Sequence, residues 1–199
     1  MGQVCLTLPH MYDRRLLWAA MTTCFFGFFR SGEITVASRA TFDPAIHLAW
    51  GDVAINCGDP PTLRVLLKRS KTDQFGRGVH VYMQATNNQL CPVEAVTTYV
   101  GMRGASPGPF FRWQDGAPLT KAQFVVKVRE TLVRSGIPIE GYSGHSFRIG
   151  AATEAARAGV SDSTIQSLGR WASAAFLRYI RTPRERLAGT TRAMARNTG

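Results

Sequence analysis

From Leu16 to Phe29 the chain is almost continuously apolar, and Leu17, Met21, Cys24, Phe25 and Phe28 recur at the spacing of one helical face. This predicts a helix over residues 13–29, with Asp13 as its cap and Arg30 delivered at its C-terminal end. Ile34-Thr35-Val36 and then Leu48 to Ile55 read as extended. Leu63 to Lys68 and Val79 to Met83 read as strands, joined by the polar run Arg69 to Gly78, which makes a hairpin with a basic loop. Pro92 opens a helix running to about Arg103. A Gly- and Pro-rich loop over 104–118 surrounds Phe110, Phe111 and Trp113, and a further helix runs from about Thr120 to Arg134 and stops at Gly136. The Ala-rich stretch carrying His145 and Arg148 predicts a helix closed by Gly159. Ser161 caps a short helix ending at Gly169, and Ser173 caps a segment that carries Tyr179 and closes at Pro183. The expected class is α+β: one mainly α-helical domain with a small antiparallel sheet.

Composition narrows the function. The 199 residues suffice for one good core, and 45% hydrophobic against 19% charged residues describes a folded globule. Lys and Arg number 24 against 13 Asp and Glu, a net charge of +11 that favours a polyanion, nucleic acid being the usual one. Charge that merely keeps the protein soluble is the alternative. Cys5, Cys24, Cys57 and Cys91 show neither C-x-x-C spacing nor a companion His, so they read as reduced thiols and no metal or other cofactor is expected. His10, His47 and His80 read as structural or surface residues. The apolar run after Arg14 and Arg15 lacks a small-residue cleavage site, and it is shorter than the ~20 residues that span a bilayer. Met1-Gly2 hints at myristoylation, but Leu6 stands where Ser or Thr is wanted. A soluble, intracellular protein with no membrane association is expected.

The candidate chemistry lies in Gly144-His145-Ser146-Phe147-Arg148, then Leu168-Gly169-Arg170-Trp171 and Tyr179. His145 and Arg148, three residues apart, share one face of a helix. An Arg, a His, an indole N–H and a phenol in one place suit attack on a phosphodiester. Guanidinium groups neutralise the non-bridging oxygens through paired hydrogen bonds. A phenol attacks phosphorus and leaves again, so a strand can be resealed. A Lys beside the phosphate can protonate the departing 5′-oxygen.

These residues resemble the tyrosine recombinases of the phage-integrase type, whose chemistry is shared with type IB topoisomerases. The resemblance implies a catalytic role for Arg30 and Glu33 in Phe29-Arg30-Ser31-Gly32-Glu33, and for Lys71 in the hairpin. It implies the same for His145 and Arg148, for Trp171, and for Tyr179 as nucleophile. The ordered set spans residues 16–181. Trp171 followed by Tyr179-Ile180-Arg181 looks closest to Cre-like enzymes, and the Gly-Arg-Trp and Arg-Tyr-Ile-Arg wording also resembles recombinases of eukaryotic DIRS-type retrotransposons. Two departures stand out. Eight residues take the chain from Trp171 to Tyr179, one fewer than the family more often has. The family's N-terminal DNA-clamping domain is also expected to be absent, leaving a catalytic domain over 1–183 and a basic tail over 184–199. That tail is either disordered or a segment exchanged between subunits.

What the resemblance implies is site-specific cleavage and rejoining of double-stranded DNA, with DNA recombination or integration as the outcome. The link would be a 3′-phosphotyrosine formed without metal, and a homotetramer would act on two DNA sites. Such a protein would sit with DNA, in the nucleus of a eukaryote or the nucleoid of a bacterium. A topoisomerase-like nicking and closing activity, or a non-catalytic DNA-binding module, are the alternatives. Each residue also has a plainer reading. Arg30 would complement a helix dipole, Glu33 would be solvated, and His145, Trp171 and Tyr179 would be packing residues. Lys68 and Arg69 rival Lys71. Lys68, Arg69, Arg77, Arg170, Arg178 and Arg181 are candidate DNA-backbone contacts, or a solvated basic face.

Overall fold

The computed structural model describes residues 10–69 and 78–180. Helix α1 (Met11–Phe26) runs through the middle and is buried nearly all round, with Leu16, Leu17, Met21 and Cys24 in the core. Its N-cap is His10, and Asp13 sits in the first turn, where its charge still faces the positive end of the helix. The helix stops earlier than its apolar run suggests. Gly27 caps it, and Phe28 turns left-handed (φ 53°), so Phe28 leaves the helical face assigned to it and Phe29 lies outside the helix. A Cβ at Gly27 would overlap the Phe29 ring, which lets the chain reverse tightly there.

Helix α2 (Ser31–Ile34) replaces the start of the extended segment expected at Ile34, because Glu33 folds back onto the Arg30 backbone. Val36 then bridges Thr120. The stretch expected to be extended from Leu48 is broken by a 3₁₀ turn at Trp50–Asp52 before β1 (Val53–Asn56). Strands β1, β2 (Thr62–Leu67) and β3 (Val79–Gln84) form an antiparallel sheet in that order, in registers Val53↔Val65 and Leu63↔Met83. Leu63, Val65, Leu67 and Met83 face the core, while Arg64, His80 and Tyr82 alternate outward.

Four helices complete the fold among the described residues: α3 (Pro92–Arg103), α4 (Lys121–Arg134), α5 (Ser146–Arg157) and α6 (Asp162–Leu168), followed by a 3₁₀ helix at Ala174–Tyr179. Their starts follow local chemistry. Pro92 occupies the first turn of α3, the Thr120 hydroxyl accepts from Gln123 N in α4, and Ser161 accepts from Thr164 N in α6. Gly159 (φ 82°) closes α5. Phe110 and Phe111 are buried, and their loop is held by Arg103, which donates to the carbonyls of Phe110, Gly104, Ser106 and Pro109 and stacks on Trp50. α1 packs against α3 on one side and α5 on the other, so the turn after α1 meets both the start of α5 and the turn after α6.

Candidate active site

Three chain segments converge at that junction. The first is the turn after α1. Arg30 stands just outside α2, its backbone N–H donating to Glu33 Oε2 (2.8 Å) and its Nη1 to Glu33 Oε1 (2.7 Å). Glu33 is 8% exposed, so this pair is held against the protein rather than in solvent. The second segment is the entry to α5, stitched to the first by Ser31 N donating to Gly144 O (3.2 Å). The third is the turn Leu168–Trp171, left-handed at Arg170 (φ 55°).

Arg148 joins all three. It is 3% exposed, donates through Nη1 to Phe28 O (2.9 Å) and through Nη2 to Gly169 O, and lies 4.3 Å under the Trp171 ring. Trp171 packs edge-on against Phe28 and tilted against Phe176, which fixes the indole behind the guanidinium. Gly169 makes that stack feasible, since a Cβ there would overlap the Trp171 ring.

Arg170 departs from both readings of it as a surface cation. Its side chain is turned inward, 12% exposed, donating to Gly27 O (3.0 Å), Leu168 O (3.1 Å) and Phe28 O (3.0 Å) and lying 3.5 Å from Glu33 Oε2. The left-handed turn at Phe28 aims its carbonyl at Arg148 and Arg170 together. Burial pushes the Arg170 guanidinium below its ordinary pKa, and the Glu33 carboxylate partly offsets this. Lys68 is likewise drawn away from any backbone role: its ammonium pairs with Asp52 and donates to Pro44 O and His47 O.

A cavity of about 480 Å³ opens beside this junction, lined among others by Arg30, Arg69, Lys121, His145 and Arg148, with Glu33 as the carboxylate at its wall. A larger hollow of about 570 Å³ between α1, α4 and α5 is lined mostly by apolar groups such as Phe25, Phe124 and Leu132 and has no comparable convergence of cations. Oppositely charged ligands are favoured by the smaller cavity. Among the described residues no cluster of three His, Cys, Asp or Glu side chains is placed to hold a metal, and no helix is long and apolar enough to cross a membrane.

His145 stands at the N-cap of α5 rather than inside it, so it and Arg148 reach one cavity from successive turns of chain and not from a shared helical face. Loss of solvent around the ring, then the charges of Arg30, Lys121 and Arg148, hold its pKa below the ordinary value, with Glu33 opposing. His145 is therefore expected to be a free base at neutral pH, able to accept a proton, and to titrate below the usual histidine value of about 6.5. Inorganic phosphate in the cavity should raise that value. ¹H–¹⁵N correlation spectra across a pH series read both, and a midpoint at or above the usual value without phosphate would contradict the assignment. An activity that needs the free base falls as pH drops through the lowered value.

Of the other residues singled out by sequence, Arg69 lines the cavity, Arg178 is exposed on the last 3₁₀ helix, and the backbone of Tyr179 ends that helix, which packs on α5. Lys71, Arg77 and Arg181, and the tail over 184–199, lie outside the described residues. Sequence reasoning passed over two residues that line the cavity, Lys121 and Ser31. Only the Thr120–Gln123 capping pattern marked a helix start near Lys121.

No protein-family profile matches the chain. A curated relative, the "Integrase/recombinase xerD homolog" of Selenomonas ruminantium, is 25% identical over 186 residues, 87% of this chain and 48% of its own length. The chain thus spans about half the length of the curated relative it matches. Among solved structures, the XerH site-specific recombinase bound to its difH substrate before cleavage superposes with a TM-score of 0.65 at 17% identity, covering 96% of this chain and 50% of that one. A lambda integrase dimer bound to a COC′ core site gives 0.55 at 15% identity, covering 89% and 44%. The chain is related in sequence to an integrase/recombinase and has the fold of the tyrosine recombinase catalytic domain: mainly helical, with a three-stranded antiparallel sheet.

Proposed function

We propose that this chain is the catalytic part of a site-specific tyrosine recombinase, cutting and rejoining double-stranded DNA through a 3′-phosphotyrosyl link. The observation that carries the reading is the gathering of Arg30, His145 and Arg148 around one cation-lined cavity, on a fold shared with recombinases. The net charge of +11 supports a polyanionic partner.

In this reading the Tyr179 oxygen attacks the scissile phosphorus while the bond to the 5′-oxygen breaks. Free-base His145 takes the phenolic proton, and Lys71 gives one to the departing 5′-oxygen. Arg30 and Arg148 face the non-bridging oxygens, and Trp171 keeps Arg148 in place by covering its guanidinium. A 5′-hydroxyl from a partner strand then reverses the steps and frees Tyr179. Strand exchange requires four copies on two DNA sites, inside the cell with the DNA. A Cre-like or DIRS-type affinity rests on the wording of Leu168–Trp171 and Arg178–Arg181 alone.

The test uses duplexes selected for binding to this chain, nicked just 3′ of each trial position so that cleavage releases a short fragment, and run without divalent metal. A covalent adduct on a denaturing gel, mapped by mass spectrometry to Tyr179, is expected. Tight binding with no adduct would favour the non-catalytic module, and relaxation of supercoils at random sites without exchange would favour nicking and closing.

A further inference from the structure

We propose that Lys121 is a phosphate-binding residue of this cavity, its ammonium holding a non-bridging oxygen of the DNA phosphate that Arg30 and Arg148 face. The inference rests on the function proposed above and adds a residue to it.

Backbone hydrogen bonds fix where Lys121 starts. It opens α4 directly after the Thr120 cap. Its N–H donates to Val36 O (2.8 Å), while Val36 N donates to Leu119 O (3.2 Å), so the helix start is pinned to the bridging segment at Val36. From there the side chain runs across two glycines. Its Cδ lies 3.7 Å from where a Cβ on Gly32 would sit, and its Cε lies 3.5 Å from where one on Gly144 would sit. Both are ordinary van der Waals separations, so the stem lies along the two glycines on its way to the cavity it lines.

Lys121 has no competing partner of the kind that occupies the other lysines. Lys68 is paired with Asp52 and Lys127 with Glu130, whereas among the described residues no carboxylate lies within ion-pair distance of Lys121. Its charge nonetheless reaches the cavity, for it is one of the three cations that disfavour protonation of His145. A second group points the same way. Ser31 is among the residues that line the cavity, and its Oγ is buried, with the residue 1% exposed, and has no hydrogen-bond partner among the described residues. A buried hydroxyl in that state is offset by an incoming oxyanion to which it can donate. The first turn of α4, fourteen residues long, adds its own positive end. A lysine suits the task because its ammonium is a point charge on a flexible stem, able to follow an oxygen as charge develops on it.

The test compares Lys121→Met, which keeps the stem and removes the charge, with Lys121→Arg. Lys121 is exposed, so both variants should fold as the parent does, which a thermal melt checks. Inorganic phosphate is titrated into each chain without DNA and followed by the His145 ring resonances. Lys121→Met should bind phosphate about tenfold more weakly, the loss expected for one charge-assisted hydrogen bond, with Lys121→Arg close to the parent. Single-turnover cleavage of nicked DNA at saturation should slow on the order of 10²-fold in Lys121→Met, as for one missing donor to developing charge. A bridging 5′-sulfur in the scissile link, which needs no proton to leave, should not restore the rate.

Phosphate binding that is absent in the parent, or equal in Lys121→Met, would overturn the proposal. So would rescue by the bridging sulfur, which would make Lys121 a proton donor instead. If the parent forms no adduct while the phosphate difference holds, the recombinase reading fails and Lys121 stands as an anion ligand.

Discussion

Arg148→Ala is expected to abolish DNA cleavage and to destabilise the fold in the same step. The guanidinium is 3% exposed and bonds the carbonyls of Phe28 and Gly169, which belong to two turns that touch nowhere near each other in sequence. Removing it strands the Gly169 carbonyl in a dry setting at about 1–3 kcal/mol, while the Phe28 carbonyl keeps its bond from Arg170. It also removes the support beneath the Trp171 ring, 4.3 Å away, so the turn leading to Tyr179 loses its anchor. The catalytic loss should be at least 10²–10³-fold, the range of one preorganised donor to a charged transition state. Urea denaturation gives the first quantity. Single-turnover cleavage, run well below the variant's unfolding midpoint, gives the second. Affinity for DNA should fall far less, being spread over many phosphate contacts. Unchanged stability with abolished cleavage would show that the Gly169 carbonyl does not need the guanidinium, and the clamp would be wrong. Arg148→Lys sharpens the comparison, since it keeps the charge but loses the planar fork that spans both acceptors.

Glu33→Gln is the second large effect, and its cause is a count of acceptors. One carboxylate oxygen accepts from the Arg30 backbone N–H and faces Arg170, and the other accepts from Arg30 Nη1. An amide offers only one oxygen and turns its NH₂ toward a donor. It also leaves Arg170, 12% exposed, without its counter-charge. Breaking one partner of a buried ion pair typically costs about 3–5 kcal/mol, and Arg30, 25% exposed, limits how much of the pair counts as buried. A loss of roughly 2–4 kcal/mol is therefore expected, together with a marked fall in cleavage as Arg30 is released. Denaturant midpoints across the Glu33→Gln and Glu33→Asp variants check it. A Glu33→Gln variant as stable as the parent would mean that Arg170 is held by its three carbonyl contacts alone.

How far the sequence could be read depended on how local each cause was. Pro92, Thr120, Ser161 and Gly159 marked helix ends correctly because each acts on hydrogen bonds or dihedrals within four residues of itself. The sheet was legible for the same reason, through alternation along β2 and β3. The end of α1 was not. Its apolar run continues through Phe28 and Phe29, and only packing of Phe29 against Gly27 turns the chain. Ile34 ends α2 although its hydropathy suggests an extended segment, because the fold-back of Glu33 onto the Arg30 backbone leaves no mark in hydropathy.

At the site, the sequence by itself determined which side chains are present and in what order: Arg30, Glu33, His145, Arg148 and Trp171, in a pattern whose order is itself specific. Tertiary structure decided what each one touches. Arg148 and Arg170 look alike in sequence and both bond the Phe28 carbonyl, yet Arg148 also lines the cavity while Arg170 reaches Gly27 O and Glu33 instead. Lys68 and Lys121 are both lysines at the ends of elements, yet Asp52 captures the first while the stem of the second runs past Gly32 and Gly144 to the cavity. The physical reason is common to all four. A cation's role is set by the nearest acceptor, and here that acceptor, or its absence, is decided by contacts between segments distant along the chain.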